Sequence, residues 1–225
     1  MKKIILLSLL FSLINIPIVT AEENPVKIRV NKTILLDAVP FTAQAPFGNW
    51  TDQRQQHGCE EASALMVIKW ARQQTLTKEI ALKEITKLAD WLKKKHGESR
   101  DSSAQDTVNW IFKEYFKYDK VQLKKMATLN DIIGELTKGN LIVAPMNGQL
   151  LRNPNFKQPG PERHMLVIIG FDPIKKQFIT NDPGTRNGAN YRYNYTTLYN
   201  AIRDYPTGYN KPIKKVEKNI IVISK

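Results

Sequence analysis

Apolar residues return every three or four positions in four stretches of the first 140 residues, which predicts four helices. The first runs from Cys59 to about Gln74, with Ala62, Leu65, Met66, Ile68 and Ala71 on helical spacing. In the second, capped by Thr77, Ile80, Ile85, Leu88, Trp91 and Leu92 form a stripe that ends in Lys93-Lys94-Lys95-His96-Gly97. Cations in a last turn followed by glycine are a helix stop. The third spans Ser103 to Phe116, and the fourth spans Thr128 to Lys138, halted by Gly139.

Beyond residue 140 the period changes. Leu141 to Pro145 and Met165 to Phe171 are unbroken apolar runs, the second continuous enough for a central strand. Gln177 to Asn181 alternates, and the Asp172 to Lys176 turn joins it to the preceding run as a hairpin. Tyr191 to Tyr193 and Asn219 to Ile223 are further strands, and Tyr195 to Arg203 a short helix. Leu35 to Thr42 reads as an edge strand, because Pro40 cannot donate to a sheet ladder. Gln44 to Gln56 is a polar loop, and Asn147 to Glu162 is a long loop with three prolines, a length that is often functional. Helices first and antiparallel strands after give an α+β fold rather than alternating βαβ units.

The N-terminus changes the compartment. Lys2 and Lys3 precede an apolar stretch from Ile4 to Ile18, and small residues to Ala21 lead into Glu22-Glu23. That is the order of a secretory signal peptide, cut after Ala21. The stretch is short for a membrane span and is interrupted by Asn15 and Pro17, so no stable anchor is expected after cleavage. The expected organisation is a signal peptide at 1–21, an extension at 22–34 and one domain at 35–225, exported to the periplasm or beyond the cell. The formal charge is +13, and removing the signal takes two lysines and no acids, leaving +11. The lysines are scattered rather than blocked, which argues against a nucleic-acid arm and leaves an anionic cell envelope as a partner.

An exported chain with one unpaired cysteine draws attention to that thiol. Cys59 follows Gly58 where a helix is predicted to begin, and a helix N-terminus favours a thiolate. Pairing Met165–Phe171 with Gln177–Asn181 across their turn brings His164 and Asp182 to the same sheet edge. Cysteine, then histidine, then Asp/Asn is the order of a papain-like thiol site. His164 would take the thiol proton and return it to the leaving group, and Asp182 would orient the imidazole. His96 follows three lysines at a helix end and is expected to be exposed; His57 adjoins Cys59 in sequence. Glu60 and Glu61 suit a first helical turn, yet a carboxylate opposes a neighbouring thiolate, so solvent or a substrate cation is their expected environment. One cysteine and three scattered histidines make no metal-ligand spacing, and no cofactor is implied.

With these residues the chain resembles the family thirty-nine cysteine peptidases, of the bacteriocin-leader-processing type, within the papain-like superfamily. The matching pieces are Val39-Pro40-Phe41 with Gln44, Gly58-Cys59-Glu60-Glu61-Ala62-Ser63, His164 to Gly170, and Asn181-Asp182-Pro183. The resemblance implies a papain-like fold whose Cys-bearing helix packs on an antiparallel sheet. It implies Cys59 as nucleophile, His164 as general base and acid, Asp182 as orienter, and Gln53, six residues before the cysteine, as oxyanion donor. Gln55 and Gln56 are rival donors. Cys-Glu-Glu replaces the more usual Cys-Gly-Pro, and no transporter region is present. The implied activity is a secreted thiol hydrolase that cleaves a peptide or amide through a Cys59 acyl-enzyme. The alternatives are a catalytically silent binding module and a cell-wall amidase or endopeptidase.

Overall fold

The structure is a computed structural model that describes residues 31–225. The segment expected as a signal peptide, and most of the 22–34 extension, lie outside the described residues. The described chain begins with β1 (Ile34–Leu35), α1 (Gln53–Gln56), α2 (Cys59–Ala71), α3 (Lys78–His96) and α4 (Ala104–Asp106). α4 continues as a π-helical stretch, Thr107–Tyr115, and β2 (Val121–Lys124) and α5 (Leu129–Thr137) follow. Then come β3 (Leu141–Met146), α6 (Gly148–Leu151), β4 (His164–Asp172), β5 (Gln177–Asn181), β6 (Tyr191–Asn194), α7 (Tyr195–Ala201) and β7 (Ile220–Ile223).

The strands form one antiparallel sheet in the order β2-β7-β3-β4-β5-β6, with β1 paired to the far end of β4. The fold is therefore mixed α+β. Both faces of the central strands are covered, which is why their sequences are continuously apolar rather than alternating. On one face Val143, Met165, Val167 and Ile221 pack with α2, α3 and the π-helical stretch. On the other face Ile142, Ala144, Leu166, Ile168 and Val222 pack with α5 and α7. A bulge between Ile168 and Gly170 shifts β4 by one residue against β5. At Gly170 the backbone of β1 passes so close that a Cβ would fall 2.3 Å from the Ile34 carbonyl oxygen.

The capping signals act as their chemistry dictates. The Thr77 hydroxyl accepts from Ile80 N, and Gly97 closes α3 at φ +83°. Thr128 and Asp131 form a reciprocal capping box on α5. Elsewhere the expected boundaries change. The strand observed is Ile34–Leu35, so of the predicted Leu35–Thr42 run only Leu35 lies in it, because Ala38 turns the chain at φ +58°. From there residues 39–45 run as an irregular strap over the sheet. The Asn181 side-chain amide donates to the Val39 and Pro40 carbonyls, and Gln44 N donates to the Pro183 carbonyl. His96 is not exposed: its ring stacks on Trp110 at 4.1 Å and its Nε2 lies 3.0 Å from Glu114.

The first turn of α2 departs most from expectation. Glu60 and Glu61 are each only 1% exposed, so neither faces solvent. Glu61 Oε2 has no hydrogen-bond partner. Burial, with Glu60 beside it, pushes the Glu61 carboxyl well above the ordinary carboxylate range and so favours its neutral form in the core. A carboxyl raised in the folded state contributes its full stability below its unfolded pKa and loses it as pH rises through the folded value. Glu61→Gln keeps the shape and removes the titration. Thermal unfolding between pH 5 and 9 should therefore show the wild-type midpoint falling with rising pH and the E61Q midpoint falling less; parallel curves would contradict a neutral Glu61.

Candidate active site

His164 opens β4 and Asp182 follows β5. Pairing of Val167 with Asn181 places both at one end of the sheet, where His164 Nε2 meets Asp182 Oδ1 at 2.8 Å. Both side chains are buried. Asp182 Oδ1 also accepts from Gly184 N at 3.0 Å, and Oδ2 accepts the Tyr193 hydroxyl at 2.6 Å. Asn153 Nδ2 donates to Tyr193 Oη at 2.7 Å, which aims the phenolic proton at the carboxylate. Burial alone would raise Asp182, but the charge and hydrogen bond of His164, with Tyr193 and Gly184, hold it below its ordinary value. An ionised carboxylate only accepts, so His164 Nε2 is the donor in this bond, and Nδ1 is the ring nitrogen left outside it. Gly184 is required at this corner: a Cβ there would fall 2.9 Å from His164 Cε1 and 2.8 Å from Phe156 Cε1. The Phe156 ring stands edge-on to the imidazole at 5.4 Å.

Cys59 arrives on the other wall. Gly58 caps α2, and α2 packs on β4 with Ser63 Oγ donating to the Met165 carbonyl at 3.1 Å. Cys59 and His164 line the same cleft, of about 1410 Å³. The cleft continues between the Gln44–Thr51 loop, the Asn155–Glu162 loop and Gly184–Asn187. The 147–162 segment anticipated as functional thus forms a wall of the cleft, after the short helix α6. The thiol donates to Glu60 Oε2 at 3.0 Å, and no hydrogen bond joins it to His164. Burial first, then the Glu60 carboxyl, pushes the Cys59 thiol well above its ordinary value, opposite in direction to what a helix N-terminus alone suggests.

Of the three glutamines expected to compete for the oxyanion, Gln56 alone lines the cleft. Gln53 is exposed on α1 and does not line the cleft. Gln55 is buried and Gln56 is exposed at the rim. The buried side-chain amide among the cleft-lining residues is that of Gln44, which donates to the Gln55 and Gln56 carbonyls at 3.0 and 2.9 Å. Its amide is thereby fixed on the turn that leads into Cys59. Periodicity did not find Tyr193, Asn153, Gln44 or Tyr205, because all four act through side-chain hydrogen bonds across the fold. Only the Val39-Pro40-Phe41…Gln44 resemblance pointed at one of them. His57 lines the cleft against Tyr209, its rings 5.4 Å apart, and burial lowers its pKa. Among the described residues no cluster of three or more His, Cys, Asp or Glu is placed to hold a metal, and no helix is long and apolar enough to cross a membrane.

Comparison with curated proteins found no match. Among solved structures, the chain is similar to a C39-like peptidase from Bacillus anthracis, with a TM-score of 0.50 and 17% identity over 86% of this chain and 98% of that chain. At that identity the likeness shows the fold. The sequence profile of the Peptidase_C39 like family matches residues 36–213. Since that match spans most of the chain, the protein belongs to the Peptidase_C39 like family of cysteine peptidases.

Proposed function

We propose that this protein is an exported cysteine peptidase-like hydrolase that cleaves a peptide or amide bond through a thioester at Cys59. The observation that carries the reading is the buried His164–Asp182 bond, which leaves the His164 Nδ1 lone pair for a thiol in a cleft that Cys59 also lines. In the proposed reaction Nδ1 takes the Cys59 proton, and the sulfur bonds to the substrate carbonyl carbon as the carbonyl electron pair moves to oxygen. The oxyanion is met by the Cys59 backbone N–H, free at a helix N-terminus, and by one Gln44 N–H turned from its resting carbonyl. Collapse breaks the C–N bond, and the amine leaves with the proton held by His164. Water then attacks the thioester, giving its proton to His164, and the sulfur departs with a proton restored.

The cleft volume, about 1410 Å³, exceeds the ~300–1,000 Å³ of small-ligand pockets and supports a chain-like substrate. Export rests on the Lys2–Ala21 pattern, and a basic chain would be drawn to an anionic envelope. The Cys59–Glu60 hydrogen bond favours a second reading, a papain-like binding module with silent chemistry.

Cys59→Ala should abolish cleavage of a mixed peptide library followed by mass spectrometry, together with labelling by iodoacetamide. No cleavage by the wild type, with a peptide retained equally by Cys59→Ser, would instead establish the binding module. Gln44→Ala should lower kcat by about 10²–10³, the usual loss of an oxyanion donor, whereas Gln53→Ala should leave it near wild type; the reverse ranking would return that role to α1. Asp182 is depressed in the folded state, so its stabilising contribution is present above its unfolded pKa and is lost as pH falls through the folded value. Tyr193→Phe removes one donor, so its acid-unfolding midpoint, read by circular dichroism, should move to higher pH. An unmoved midpoint would mean that the hydroxyl does not support the charge.

A further inference from the structure

Glu60 is the second residue of α2, a position where an acid normally meets water and the helix dipole. Here it is 1% exposed, and its carboxyl joins four parts of the fold. Oε2 accepts the Cys59 thiol at 3.0 Å. Oε1 accepts Ser102 N at 3.1 Å, from the loop before α4. Oε1 also lies 2.9 Å from the Tyr205 hydroxyl, from the segment after α7, and that hydroxyl is 3.3 Å from the His164 carbonyl. The same carboxyl therefore touches the thiol and, through one tyrosine, the backbone of the histidine that would deprotonate it.

The groups that bear on this pair are mostly acids. Glu61 lies beside it on α2, Asp101 faces it from the loop before α4, and Tyr205 faces it from after α7. Arg163 stands 3.7 Å from Asp101, and among the described residues no cation is within ion-pair distance of Glu60. His164, on β4, is committed to Asp182 through Nε2. An acceptor that holds the S–H and repels a second negative charge keeps sulfur in its protonated form.

We propose that Glu60 is a positioning residue that latches the Cys59 thiol away from His164 at rest, so that breaking the S–H···Oε2 bond gates formation of the reactive Cys59–His164 pair. This rests on the reading of Cys59 as the nucleophile. It extends that reading by naming the step that must precede attack. Glu60→Gln keeps the side-chain shape and removes the ionisable carboxyl. Tyr205→Phe keeps the carboxyl and removes one of the donors that hold it.

The test is the rate of iodoacetamide alkylation of Cys59 in the intact folded protein as a function of pH. Glu60→Gln should move the alkylation profile to lower pH by about one unit, so that alkylation near pH 7 is about tenfold faster than in wild type. Tyr205→Phe should move it in the same direction by less, and decides the matter if the first variant does not fold. A merely structural carboxyl would lower the thermal midpoint without moving the thiol titration, so coincident profiles in the folded variants overturn the latch. Alkylation needs no substrate. A shifted profile without peptide turnover would sustain the latch and count against the peptidase reading, and turnover with an unshifted profile would do the opposite.

Discussion

His164 reaches Asp182 because β4 and β5 pair with Val167 opposite Asn181, beyond the bulge at Ile168–Gly170, and the rest of the site is built around that contact. Val167 opposite Asn181 sets the two functional side chains at the same end of the sheet. A slip of one residue would send each strand's side chains to the opposite face. Both faces are core here, so the slip would exchange Val167 and Ile168 between two packed clusters and part the dyad at once. The cost of misregistering a doubly buried hairpin is therefore what holds His164 against Asp182. The Asn181 amide extends the same constraint to the strap at Val39 and Pro40, and Gln44 is tied to Pro183 next door. One hairpin thus locates His164, Asp182 and the cleft-lining Gln44 amide.

The carboxyls of the site show how environment assigns different states to the same chemistry. Asp182 is surrounded by donors, from His164, Tyr193 and Gly184, and stays ionised although buried. Glu61 is as deeply buried with an oxygen that has no partner, and it is pushed to the neutral form. Glu60 stands between these cases. Burial raises it, with Asp101 adding to the rise, while the thiol and the Tyr205 donor offset part of it. The site is consequently short of positive charge on the cysteine side and well supplied with donors on the aspartate side.

Much of this was written in local pattern. The helical stripes, the Thr77 and Thr128 caps, the Gly97 stop, the hairpin across Asp172–Lys176 and the order Cys59, His164, Asp182 all follow from spacing and backbone chemistry over a few residues. The elements that escaped were β2, α1 and α6, which have four residues each and are too short to show a period. The glutamines are a lesson of the same kind. The resemblance points to Gln53 with Gln55 and Gln56 as rivals, but Gln53 is exposed outside the cleft, while the strap brings Gln44 to the cleft from farther back.

What local pattern could not contain is the environment of a side chain once remote segments close over it. The sequence places Glu60 and Glu61 in a first helical turn, where acids ordinarily meet water, and nothing nearby says that Ser102, Tyr205 and the sheet will bury them. Nor does it say that Tyr193 and Asn153 will support Asp182. Residue type and spacing depend on covalent neighbours and short-range sterics, so they are legible in one dimension. Burial and charge state depend on which distant atoms displace water, and that is settled only when the whole chain has packed.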